Sequence, residues 1–137
     1  MRILIADDQP KVRFALRVAL EQQPGSKIVS EAADTTDLLT QTQAACPDLL
    51  LMDWDLPEMP APLVLSTLHR QCDRTIVIIL SEKPEMCQLA LSAGADAFVS
   101  KGDPPEYLLR AIAACVQRSQ AKHTSGDPVS PVSIQRK

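Results

Sequence analysis

Three carboxylates stand where apolar runs stop. Asp7-Asp8 follows Ile3-Leu4-Ile5-Ala6, and Asp53 follows Leu49-Leu50-Leu51-Met52. Apolar runs of this length, separated by helical patterns, read as buried strands of a parallel sheet. In such sheets the carboxyl ends of the strands form the ligand crevice. Three acids in one crevice repel one another unless a positive group neutralises them, and a hard divalent cation with oxygen ligands suits that task. A hydroxyl after a fourth run (Ser81) and a lysine after a fifth (Lys101) complete a set suited to phosphoryl transfer. Singly, each residue has an ordinary reading. Asp7-Asp8 is then a turn and helix cap, Asp53 a strand-ending turn residue, Ser81 a cap before Pro84, and Lys101-Gly102 a solvated turn. Only their joint placement at successive strand ends carries the chemistry.

The elements that must position these residues alternate five times. Strands are expected at about 2–6, 28–32, 48–52, 75–80 and 95–99. The run Thr75 to Leu80 is the clearest, being β-branched and apolar. Val12, Ala15, Leu16, Ala19 and Leu20 repeat at helical spacing after Pro10, and Pro24-Gly25 breaks that helix. Asp34 or Thr35 caps a second helix, and Leu63 to Leu68 mark a third. Pro84 opens a short fourth helix that stops at Gly94, and a fifth starts near Pro104-Pro105 and runs through Cys115. Such alternation implies right-handed crossovers and helices on both faces. The expected fold is an α/β, flavodoxin-like, doubly wound five-stranded parallel sheet with five helices and strand order 2-1-3-4-5. From Ser119 the apolar period disappears, so residues 1–118 read as the domain and 119–137 as a flexible tail or interdomain linker.

Composition narrows the function classes. The 137 residues suit one core of ordinary size. Residues 1–117 carry 10 Lys+Arg and 16 Asp+Glu, a net −6, whereas 118–137 carry 4 and 1, a net +3. An acidic body argues against direct nucleic-acid binding by the domain. Cys46, Cys72, Cys87 and Cys115 are too far apart to suggest a zinc site. Free, mostly buried thiols in a reducing cytoplasm are therefore expected. No apolar stretch approaches the ~20 residues a membrane span needs, and no signal-peptide pattern opens the chain. His69 and His123 read as surface residues. Trp54, directly after Asp53, either shields the site or covers the sheet edge.

Taken together these motifs make the chain resemble a response-regulator receiver domain, the phosphoacceptor half of two-component signalling. The matching residues are Ile-Leu-Ile-Ala-Asp7-Asp8, Leu-Leu-Leu-Met-Asp53, Leu56-Pro57, Ser81, and Ala93-Gly94-Ala95-Asp96-Ala97-Phe98 before Lys101. The likeness spans about residues 2–117. The phrase Ala-Gly-Ala-Asp-Ala-Phe-Val-Ser-Lys-Gly most resembles the class with a C-terminal helix-turn-helix (LuxR-like) DNA-binding domain. The resemblance implies that Asp53 accepts the phosphoryl group, and that Asp7, Asp8, Asp53 and the backbone carbonyl of Asp55 hold Mg²⁺. It further implies that Lys101 pairs with the phosphoryl group, and that Ser81 and the aromatic Phe98 form the switch, displacing the surface made by the fourth helix, fifth strand and fifth helix. Its implied partners are a sensor histidine kinase and a second copy of the chain, with DNA reached only through a C-terminal domain absent here and no membrane contact. It implies no enzyme beyond its own phosphorylation and dephosphorylation. Two alternatives stand beside it: a phosphorylation-independent interaction module, and a haloacid-dehalogenase-type phosphatase suggested by Asp53-Trp54-Asp55.

The departures from the family pattern fall in loops. Glu58-Met59-Pro60-Ala61-Pro62 lacks the glycine usual before the third helix, so a stiffer loop on an altered path is expected. Ser81 and Lys101 are about two residues closer than usual, with the shortening expected at Ser81-Glu82-Lys83-Pro84. Gly102 stands where a proline often follows the lysine. Lys83 and Asp55 occupy places that flank attacking water in the family, so an unusual aspartyl-phosphate lifetime is expected.

Overall fold

The computed structural model describes residues 1–125; residues 126–137, which hold most of the expected linker, and the His123 side chain lie outside that description. Five strands, β1 (Arg2–Ala6), β2 (Lys27–Ala32), β3 (Leu49–Asp53), β4 (Ile76–Ser81) and β5 (Ala97–Ser100), form one parallel sheet in the order β2-β1-β3-β4-β5. Helices α1 (Pro10–Glu21), α2 (Thr35–Ala44), α3 (Ala61–Gln71), α4 (Cys87–Ser92) and α5 (Pro105–Ser125) connect and flank them. The expected topology is present strand for strand. A turn of 3₁₀ helix, Pro84–Met86, leads into α4, which has only six residues.

Side chains alternate across a strand, so each strand feeds two cores. Ile3, Ile5, Leu49, Leu51, Ala97 and Val99 pack with Leu20, Leu108 and Ala111 beneath α1 and α5. Leu4, Ala6, Leu50, Met52, Val77, Ile79 and Phe98 pack with Leu38, Leu65 and Ala90 beneath α2, α3 and α4. Fully burying one such leucine contributes about 2 kcal/mol. This two-sided burial explains why the strands read as continuous apolar runs.

Helix ends follow local chemistry. Asp34 caps α2, its carboxylate accepting from the Asp37 amide at 2.8 Å. Gly94 ends the α4 segment at φ 109°, and the His69 ring lies so close that a Cβ there would sit 2.5 Å from its Cε1. His69 is exposed as expected, so its ring could give way, and it is the positive φ that calls for glycine here. The missing glycine after Pro57 is met differently: Glu58 itself takes φ 92°. The loop is tied to the start of α2 by three bonds. Glu58 accepts from the Thr36 amide (2.9 Å), Pro57 from the Thr35 amide (3.1 Å), and Thr35 Oγ1 from the Met59 amide (3.1 Å). α5 runs to Ser125, past the point where its apolar period ends. Gln, Ala and Lys favour helix without needing a buried face.

One expectation fails. Cys46 and Cys72 are joined by a disulfide, so they are not free thiols, and Cys46 is exposed. α2 and α3 pack side by side, and the chain just beyond their carboxyl ends brings the two Cα atoms to 5.6 Å, within bridging range. The separation of 26 residues hides this in the sequence. Cys87 and Cys115 are buried and remain thiols; burial pushes the Cys115 thiol up to about 11. The bridge lies at the amino ends of β3 and β4, away from the carboxyl-end crevice. Reduction, or replacement of both cysteines by serine, is expected to cost about 3 kcal/mol of unfolding stability by loop-closure entropy. Denaturant unfolding with and without reductant measures this, and chemistry at Asp53 should be unaffected.

Candidate functional site

The same alternation that splits the core also aims the site. Asp7 continues the phase of Ile3 and Ile5, Asp53 that of Leu49 and Leu51, and Lys101 that of Ala97 and Val99. All three side chains therefore leave the sheet in the α1/α5 phase. β1 and β3 are hydrogen-bonded neighbours, which places Asp7 beside Asp53 at the switch point of the sheet. β4 continues the ladder, with Asp53 opposite Leu80, and the Lys101 amide donates to the Ser81 carbonyl at 2.8 Å.

Asp7, Asp8 and Asp53 each offer a carboxylate oxygen within 4.8 Å of the others. Asp7 and Asp53 are buried, with relative exposures of 0% and 5%, whereas Asp8 is exposed. The Lys101 ammonium stands 2.6 Å from Asp7 Oδ2 and 3.3 Å from Asp53 Oδ1. Asp7 Oδ1 accepts from the Gln9 amide (2.9 Å), and Asp53 Oδ1 from the Asp55 amide (3.2 Å). Asp7 Oδ2 is buried and, apart from its close pairing with that ammonium, receives no hydrogen bond among the described residues.

Burial dominates the electrostatics. It pushes the Asp53 carboxyl above its ordinary range, and the nearby Asp7 adds to the rise, against the pull of Lys101 and the Asp55 amide. Burial alone would lower the Lys101 ammonium, but the Asp7 hydrogen bond and the charges of Asp53 and Asp7 outweigh it and the net shift is upward. Lysine is thus held charged between two acids. Three carboxylates against one ammonium leave two negative charges uncompensated, which is the charge of one divalent cation. Asp7 Oδ2, buried and short of donors, is the oxygen such a cation would satisfy, so the donor set fits a hard metal.

Ser81 and Phe98 occupy the other phase. Ser81 is fully buried, in step with Val77 and Ile79, and Phe98 is buried in the core beneath α2, α3 and α4. Ser81 Oγ accepts from the Lys83 amide at 3.0 Å, pinning the start of the β4–α4 loop. Trp54 is half-buried and packs against that same core. The side chains of Asp55 and Lys83 are exposed. Two participants escaped sequence reading: Arg13, which donates to the Asp7 carbonyl, and Glu31, which holds Arg13. Arg13 reads as one more polar position of an amphipathic helix, and Glu31 as a polar residue of an edge strand.

The sequence matches the family described as the response regulator receiver domain over residues 3–113. It is 31% identical over 121 residues to the nitrate/nitrite response regulator protein NarP of Escherichia coli K12, covering 87% of this chain and 56% of that protein. It is 35% identical over 112 residues to the uncharacterized transcriptional regulatory protein YhcZ of Bacillus subtilis 168, covering 80% and 52%. The isolated REC domain of RcsB from Salmonella enterica serovar Typhimurium, solved with phosphomimetic BeF3-, superposes with a TM-score of 0.77 at 27% identity, covering 86% and 88% of the two chains. The chain spans a little over half the length of the curated relatives it matches.

Because the raised Asp53 pKa favours its neutral form in the fold, ionised Asp53 weakens the fold above that pKa. This penalty fades as pH falls to the ordinary carboxylate range, where both states are protonated. Asp53→Asn, neutral and similar in shape, is therefore expected to raise the thermal midpoint at pH 7 by a few degrees, on the order of 1 kcal/mol. The advantage should shrink towards pH 4, and thermal melts across that range check it.

Proposed function

The chain belongs to the response regulator receiver domain family, and from that premise we propose that it is a phosphoacceptor whose nucleophile is Asp53. The observation that supports this most is the Lys101 ammonium bridging Asp7 and Asp53 inside a cluster of three carboxylates. The ionised Asp53 oxygen attacks the phosphorus of a phosphohistidine or a small phosphodonor. An O–P bond forms, the donor's bond to phosphorus breaks, and the leaving group departs with its electron pair and takes up a proton. The carboxylates of Asp7, Asp8 and Asp53, with the Asp55 carbonyl, would hold Mg²⁺, which would supply neutralisation of the charge on the phosphoryl oxygens. Lys101 is already placed to follow the charge from carboxylate to phosphoryl group as a compact cation. The neighbouring Asp7 keeps that lysine charged.

The same geometry supports a switch. Ser81 Oγ is engaged with the Lys83 amide. Drawing Ser81 towards a phosphoryl group on Asp53 breaks this bond and frees the β4–α4 loop, whose helix has only six residues to hold it. Phe98, on the same side of the sheet, fills the space vacated. Phosphorylation thereby biases a two-state surface made by α4, β5 and α5. The names of the relatives, a response regulator and a transcriptional regulatory protein, support a transcriptional output. A separate DNA-binding domain, a histidine kinase as donor, a second copy of the chain as partner and the cytoplasm as location complete this reading. Among the described residues no helix is long and apolar enough to cross a membrane.

Intact mass after incubation with Mg²⁺ and acetyl phosphate tests the proposal. One phosphoryl adduct is expected on the parent, none on Asp53→Ala, and formation slowed about 10²-fold in Lys101→Met. Absence of an adduct while a control receiver is labelled would favour a phosphorylation-independent interaction module, the reading to which the short α4 lends support.

A further inference from the structure

A cation site needs its carboxylates held in place as well as brought together, and here the hold on one pair comes from outside the pocket. We propose that Arg13 is a positioning residue for the divalent-cation site: it locks the peptide joining Asp7 to Asp8 and is itself anchored by Glu31. This inference rests on the reading of Asp7, Asp8 and Asp53 as that site.

The carbonyl of Asp7 belongs to the peptide between the two acids, and a terminal guanidinium nitrogen of Arg13 donates to it. Peptide planarity makes this contact consequential. Turning the plane changes ψ of Asp7 and φ of Asp8 together, and so changes the angle between their side chains. Asp7 has further tethers in the Gln9 amide and Lys101. Asp8 is exposed, so its carboxylate is aimed by the backbone that carries it. Arg13 holds that backbone.

Arg13 is fixed in turn. Its Nε donates to Glu31 Oε1 at 3.0 Å, with side-chain exposures of 19% and 27%. Glu31 also accepts from Arg17 Nε at 2.9 Å, and Arg17 reaches Glu21 at 3.5 Å. The Arg17 hydrogen bond holds the Glu31 carboxyl below its ordinary range against burial, with Arg13 adding to the pull. The guanidinium charge beside an intended cation is therefore offset.

Glu31 faces α1 because of a register shift. β1 and β2 pair as Ile3 with Ile28, then Leu4 with Ser30. Ile28 and Ala32 are four residues apart, yet Ile28 packs beneath α1 and α5 and Ala32 beneath α2 to α4. The extra residue reverses the phase, and Glu31 emerges beside Ile5 on the α1 side. Bulges commonly re-aim side chains near functional sites. Bulge, Glu31, Arg13 and the Asp7 carbonyl thus form one continuous support.

Trp54, the only tryptophan in the chain, adjoins Asp53, so its fluorescence is the readout chosen for cation binding. Titration with Mg²⁺ alone is expected to show a Kd raised about tenfold in Arg13→Met and Arg13→Gln, the usual scale for support outside the ligands themselves. Arg13→Lys should restore part of the loss. Arg17→Met, which also loses contact with Glu31 but leaves the Asp7 carbonyl bonded, should stay within twofold even where its thermal midpoint falls as far. An unchanged Kd in Arg13→Met, or in Arg13→Gln should the first fail to fold, overturns the inference. A parent without a saturable response that Asp8→Ala abolishes overturns the cation reading itself, and the inference with it.

Discussion

Everything at the carboxyl end of this sheet is organised by the cost of burying like charges. Asp7 and Asp53 are removed from water side by side, an arrangement that stays ionised only if cations are supplied. One cation is built in. Lys101 contacts both acids, and they hold its charge against burial. The arrangement remains two charges short of neutrality once Asp8 is counted. A hard divalent ion carries the charge that would close that imbalance.

How the chain brings these charges together follows from the period of two. Asp7, Asp53 and Lys101 lie on different strands but in the same phase, whereas Ser81 and Phe98 lie in the opposite one. The sheet therefore separates chemistry from response. In the proposed function, the groups that handle the phosphoryl group are those of the α1/α5 phase, and the groups that transmit a change to α4 are those of the other. Asp7, Asp53, Ser81 and Lys101 were legible because each follows a long apolar run, and such runs locate strand ends without any knowledge of packing. Strand order was equally legible, since alternation of short strands and helices leaves few topologies open.

What stayed hidden depends on contacts that leave no local pattern. The Cys46–Cys72 bridge needs α2 and α3 to be neighbours before 26 residues become 5.6 Å. Arg13 and Glu31 look like solvated residues until the β2 register shift turns one towards the other. The loss of glycine after Pro57 was visible, but not its remedy, a glutamate at φ 92° bonded to the start of α2. The full extent of α5 was missed because helix propensity continues beyond the last buried turn.

The most direct test is a crystal structure of the protein soaked in Mn²⁺, located by anomalous scattering as a stand-in for Mg²⁺. The account predicts one strong peak bounded by the carboxylates of Asp7, Asp8 and Asp53 and the carbonyl of Asp55, with Lys101 still charged at its edge. No peak there at millimolar Mn²⁺, with Lys101 alone closing the pocket, would contradict it: the lysine would then be the whole of the neutralisation, and the carboxylate cluster a structural feature.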